Sequence, residues 1–189
     1  MSLLADVFNG IKQRFVYDPT IKAFDNLFFK KVSGTPSMVT GDIRLTSAVI
    51  SSYSQYTYGD FEFIVNVPVA PTVAQSKYWG MRNTATERGA MFFDITNDIF
   101  SFKSYDNDGN LVSTTIPWNQ ASQTWNGNFI KYKIVWDESG VKAYADELLV
   151  ATHKVGDHSL PLPLKVANGN ADNMDIDYIL MAKIGSFVS

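Results

Sequence analysis

The sequence contains no cysteine, which removes thiol catalysis, disulfide bonds and thiolate metal sites together. Its only two histidines, His153 and His158, sit across Val155-Gly156-Asp157 with no third ligand in view. They support neither a histidine zinc site nor a Ser-His-Asp triad, and both read as surface residues. No run of Lys or Arg exceeds two residues and the formal charge is -3, so the cationic footprint that a phosphate backbone demands is missing and nucleic acid is not expected as a partner. Gly34, Gly41, Gly59 and Gly80 are scattered rather than gathered into a phosphate-cradling loop, which leaves no nucleotide cofactor, and indeed no cofactor or metal, to expect. No segment approaches the roughly 18 apolar residues of a membrane span. The opening MSLLADVFNGIKQRF has neither a basic start nor a continuous apolar core, so a signal peptide is not expected. Action on a virion or an extracellular surface would then imply another route, such as lysis or particle assembly.

What is present points to sheets. The 189 residues suffice for one domain with a sizeable core, and 13 Phe, 9 Tyr and 4 Trp favour strands over helices. The strongest pattern runs from Phe129 to Lys154. Ile130, Tyr132, Ile134 and Trp136 alternate with Lys131, Lys133 and Val135, and Asp137-Glu-Ser-Gly140 turns the chain. Val141, Ala143 and Ala145 then alternate with Lys142 and Tyr144 until Asp146-Glu147 turns it again. Phe61, Phe63, Val65 and Val67 share one strand face opposite Asp60, Glu62 and Asn66. Shorter strands are expected at 27–32, 43–53, 77–81, 90–96, 99–104, 111–116 and 160–166, the last at a sheet edge because it holds Pro161 and Pro163. The final strand, 174–184, is expected to turn Met174, Ile176, Tyr178, Leu180 and Ala182 to one side. Residues 3–15 carry Leu3, Leu4, Val7, Phe8, Ile11 and Phe15 at helical spacing. The expected organisation is a helical appendage over 1–20 and a β-sandwich over 21–189, with 3–15 as a docking segment for a homo-oligomer or assembly partner.

Three segments resemble the concanavalin A-like lectin/glucanase superfamily. Tyr58-Gly-Asp-Phe-Glu-Phe-Ile-Val-Asn-Val-Pro68 resembles an early strand of the family 16 glucanase-like branch. Trp125 to Val150 resembles that branch's strand pair, and Met174-Asp-Ile-Asp-Tyr-Ile-Leu180 its last strand. The resemblance implies an all-β, antiparallel two-sheet jelly roll, here with a short N-terminal helix. It also implies a Glu-x-Asp-x-x-Glu run for retaining hydrolysis, and that run is missing. Gly89-Ala-Met-Phe-Phe-Asp-Ile-Thr96 keeps one carboxylate, Asp94. The expectation is therefore a protein that is not an enzyme.

Sugars are held by rings stacked on their C–H faces and by planar hydrogen-bonding groups. Trp79, Arg82, Asp94, Tyr105, Trp118 and Trp125 form the candidate ligand-binding set, whereas Trp136 completes an inward face and reads as core. Asp175 and Asp177 form an acidic i, i+2 pair read as a solvated face, and Asn170, Asp172 and Asp177 are hard oxygen donors of the kind calcium takes. The functional expectation is a non-catalytic, lectin-like carbohydrate-binding module for an oligosaccharide, within a virion or surface assembly. Its alternatives are a purely structural or attachment protein of such an assembly and, less favoured, a glycoside hydrolase of glucanase type.

Overall fold

The computed structural model describes residues 29–39, 42–67, 77–97, 99–117, 119–120, 123–124, 127–154, 160–182 and 186–188. In chain order the strands are β1 (Phe29–Ser33), β2 (Ser37–Val39), β3 (Asp42–Leu45), β4 (Ala48–Thr57), β5 (Gly59–Asn66), β6 (Lys77–Met81), β7 (Met91–Thr96), β8 (Ile99–Tyr105) and β9 (Leu111–Thr115). They continue as β10 (Asn119–Gln120), β11 (Gln123–Thr124), β12 (Phe129–Asp137), β13 (Gly140–Ala145), β14 (Leu148–His153), β15 (Leu162–Asn168), β16 (Met174–Ala182) and β17 (Ser186–Val188). No helix occurs among the described residues; the expected helix over 3–15 and the 1–20 appendage lie outside them.

Two antiparallel sheets make the sandwich. The larger runs β1-β4-β15-β6-β7-β8-β9 with β17 also on β4, and the smaller runs β14-β13-β12-β5-β16-β3-β2. Alternation explains which side each residue takes. On β5, Phe61, Phe63 and Val65 are buried while Asp60, Glu62, Ile64 and Asn66 face outward. On β12, Ile130, Tyr132, Ile134 and Trp136 face inward, as expected. These rings meet Trp79, Phe93, Phe100 and Phe102 from the larger sheet in one core. The β12-β13-β14 meander turns as its sequence dictates. Asp137 accepts the Ser139 backbone N–H at 2.7 Å, and Asp146 and Glu147 both take positive φ, as a two-residue hairpin turn requires.

Three expectations are corrected here. The proline-containing strand is central, not at an edge: β15 lies between β4 and β6. The ladder tolerates Pro163 because the β15–β4 register shifts between Pro163 and Lys165, and the Leu164 N–H finds the Ser52 hydroxyl at 2.9 Å instead. The final strand does not keep one phase. A register shift between Ile176 and Tyr178 leaves Asp177 without a place in the β5 ladder, and Ile179 then turns into the core. The segment 43–53 is broken in two by Ser47, at φ 47°, into β3 and β4, which belong to different sheets.

Candidate functional site

Strand β6 reads Lys77-Tyr-Trp-Gly-Met81 and alternates between two sides. Trp79 points into the core at 0% exposure, 4.7 Å from the Tyr132 ring centroid and stacked at 5.8 Å on Phe93. A ring with no exposed surface cannot stack on a sugar, so Trp79 leaves the candidate set. Tyr78 and Arg82 take the opposite, outer side. Trp118 and Trp125 lie outside the described residues.

The register aligns the outer-face residues in rows across the larger sheet. Val49, Ala167, Tyr78, Asp94, Ser101 and Thr115 form one row. The next contains Lys30, Ser51, Lys165, Gly80, Phe92, Lys103 and Ser113. A third is set by the Arg82 N–H, which donates to the Pro163 carbonyl, and the Tyr105 N–H, which donates to the Ala90 carbonyl.

At the centre, the Arg82 guanidinium lies 4.2 Å from the ring centroids of both Tyr78 and Phe92. Such cation–π packing contributes on the order of 0.5–2 kcal/mol, more as water is excluded. Glu87 fixes the guanidinium from the following loop, with Nη2–Oε1 at 2.7 Å and Nε to both carboxylate oxygens at 3.0 Å. Gly80, between Tyr78 and Arg82 on this face, lets the β7 backbone at Phe92 approach closely. A side chain there would bring its Cβ within 2.5 Å of the Met91 carbonyl oxygen. Tyr105 stacks on Phe92 at 6.3 Å and 16°, extending the layer along the sheet. Burial raises the Tyr78 phenol above its ordinary pKa.

Asp94 stands beside this layer at 3% exposure and accepts from Lys103 Nζ at 2.7 Å and Thr96 Oγ1 at 2.9 Å. Its two neighbours on the same face of the strand are Phe92 and Thr96. Of the six candidates, the structure thus brings together Arg82, Asp94 and Tyr105. The sequence reading missed Tyr78, Phe92, Glu87, Lys103 and Lys165. Alternation on β6 held the signal, because placing Trp79 in the core puts Tyr78 outside. Lys77, a lysine on the inward side, obscured it.

Other polar clusters prove structural. Arg44 grips Asp175 through two bonds of 2.7 and 2.9 Å. Asp42 is raised above the ordinary carboxylate range by burial and then by Asp177 and Asp175. In the loop that carries hard oxygen donors of the kind calcium takes, the Lys77 ammonium sits against Asn168 Oδ1 at 3.1 Å and Asp172 Oδ1 at 2.7 Å. No group of three metal-ligating side chains occurs among the described residues. His153 is not a surface residue. It is 2% exposed, with Nδ1 2.7 Å from the Ser104 hydroxyl and Nε2 2.9 Å from that of Thr114, so it fastens β14 of one sheet to β8 and β9 of the other. His158 lies outside the described residues.

No protein-family model and no curated protein sequence matches the chain. Solved structures do. A Bacillus licheniformis β-glucanase is 15% identical with a TM-score of 0.66, over 86% of this chain and 95% of its own. The laminarinase catalytic domain from Thermotoga maritima MSB8 is 14% identical with a TM-score of 0.67, over 92% and 96%. The Crh5 transglycosylase is 11% identical with a TM-score of 0.64, over 85% and 80%. The chain has the concanavalin A-like jelly-roll fold of these proteins. These similarities also correct one expectation. The chain was expected not to be an enzyme because it lacks the acidic run, yet these three structures are described as a β-glucanase, a laminarinase and a transglycosylase. That points to the enzyme reading, and the missing run alone does not dismiss it.

Proposed function

We propose that this protein takes a glycan chain across the outer face of its larger sheet. The observation that carries the reading is the partly exposed Tyr105 ring and Arg82 guanidinium, laid flat on the outer face over the buried rings of Phe92 and Tyr78. Tyr53, 51% exposed on β4, offers a second ring toward the other end of the face. From β4 to β8 there are four strand intervals, roughly 19 Å at ~4.8 Å each, room for a short oligosaccharide. Lys103, Asp94 and Glu87 supply polar atoms beside the rings. Titration with β-glucan oligosaccharides tests it: Tyr105→Ala should weaken binding roughly two- to tenfold, given ~0.5–1.5 kcal/mol for an aromatic contact. Unchanged affinity in both Tyr105→Ala and Tyr53→Ala would refute the site.

A second reading, turnover of the bound glycan, is favoured by what the similar structures are described as doing. Among the described residues, Asp94 and Glu87 are the carboxylates this face offers. Retaining hydrolysis asks one of a carboxyl pair to donate a proton and the other to attack the sugar. Each would have to exchange its present cation, Lys103 or Arg82, for the substrate. Release of reducing ends, abolished by Asp94→Asn with binding retained, is the expected result. Turnover unaffected by Asp94→Asn and by Glu87→Gln would overturn it.

A further inference from the structure

We propose that the glycan held on this face is anionic, its sulfate ester or carboxylate seated between Lys165 and Lys30 next to Arg82. The inference rests on the reading that the outer face of the larger sheet takes a glycan, and it names the chemical class.

The charge pattern of the face carries it. Four cations stand there, Lys30, Arg82, Lys103 and Lys165, and two of them are matched. Arg82 pairs with Glu87 at 2.7 Å and Lys103 with Asp94 at 2.7 Å. Among the described residues neither Lys30 nor Lys165 has a carboxylate within ion-pair distance. Lys165 Nζ donates instead to a neutral hydroxyl, Thr84 Oγ1 at 2.8 Å, and Lys30 Nζ lies 5.7 Å from the Tyr53 ring centroid.

The two unmatched ammonium groups are also placed together. Lys30 on β1 and Lys165 on β15 both lie opposite Ser51 on the strand between them. Their backbones are therefore two strand spacings apart, roughly 10 Å. Both side chains rise from the outer face, where they reach an intervening group. Lys165 is half-buried, and its pKa is lowered first by that burial, then by Arg82 and Lys30, with Glu87 opposing. Two cations, Arg82 and Lys30, gathered around an ammonium held by a neutral hydroxyl make an arrangement that a bound anion relieves. The whole chain carries -3, so this strip runs against the sign of the protein. Tyr53 beside Lys30 lets one sugar unit stack while its acidic substituent reaches Lys165.

The test titrates the full chain with three oligosaccharides of matched length, one sulfated, one built of uronic acids and one neutral β-glucan, at low and high salt. A charge-assisted hydrogen bond is worth ~1.5–3 kcal/mol, so at low salt the better anionic ligand should bind at least about tenfold tighter than the neutral one. That preference should shrink at high salt. Lys165→Gln should erase it while leaving the melting temperature unchanged, and Lys165→Arg should keep it. Sulfate and carboxylate are separated by which arm binds tighter. Glycan binding that ignores ligand charge, or a preference that survives in both Lys165→Gln and Lys30→Gln, overturns the inference and leaves the binding face standing. Absence of binding to all three ligands overturns both.

Discussion

Lys77→Met isolates what the buried ammonium contributes. Its side chain has no exposure, and Nζ touches Asn168 Oδ1 and Asp172 Oδ1. Asn168 in turn accepts the Asn170 N–H at 3.0 Å and donates to the Leu45 carbonyl at 2.8 Å, so one cation organises the 168–172 loop against β3. Burial lowers the Lys77 pKa, and the hydrogen bond and charge of Asp172 oppose it. Methionine keeps the stem volume and deletes the charge. Removing one partner of a fully buried pair costs ~3–5 kcal/mol. The Asp172 side chain is 29% exposed and can turn to water, which brings the expected loss to roughly 2–3 kcal/mol. In urea that is a midpoint lower by about 1 M at unchanged slope. Asp172→Asn in the Lys77→Met background should recover part of the loss, because it removes the stranded carboxylate. A Lys77→Met chain within ~0.5 kcal/mol of wild type would refute the idea that this cation holds the loop.

Three further outcomes follow from the same geometry. Trp79→Ala should cost about 3–5 kcal/mol in chemical denaturation, since it empties the space among Phe93, Phe100 and Tyr132. Gly80→Ala should destabilise by at least ~2 kcal/mol and disorder the Arg82 side chain, because its Cβ collides with the β7 backbone at a φ of 153°; amide exchange along β6 and β7 reads both effects. Asp106 and Asp137 are held below the usual carboxylate range by hydrogen bonds, chiefly from Asn110 and Ser139 respectively. Their contribution to stability is complete above the ordinary carboxylate pKa and lost as pH falls through their lowered values, so NMR titration should find both below it.

Much of the fold was legible because alternation and turn chemistry are local. The β12-β13-β14 meander declares itself through Asp137–Gly140 and Asp146-Glu147, and the inward set of β5 through its phenylalanines. What failed was non-local. Nothing near Asp177 in sequence marks the register shift that turns Ile179 inward; only pairing with β5 does. Pro163 argued for an edge, and the hydroxyl that rescues its neighbour, Ser52, is on another strand. His153 looked solitary until β8 and β9 brought it Ser104 and Thr114. For the site, Arg82, Asp94 and Tyr105 were within reach as an aromatic–polar cluster. The phase of β6 was not, because a lysine stands on its inward side with its partners on β15 and in the loop after it.

The claim that the outer face of the larger sheet takes the glycan is tested most directly by comparing one substitution on each sheet. Tyr105→Ala lies on that face, whereas Tyr144→Ala lies on the outward side of β13 in the smaller sheet. Calorimetric titration with the tightest-binding oligosaccharide should show roughly two- to tenfold weaker affinity for Tyr105→Ala and wild-type affinity for Tyr144→Ala. Weakened binding in Tyr144→Ala with Tyr105→Ala unaffected would contradict it.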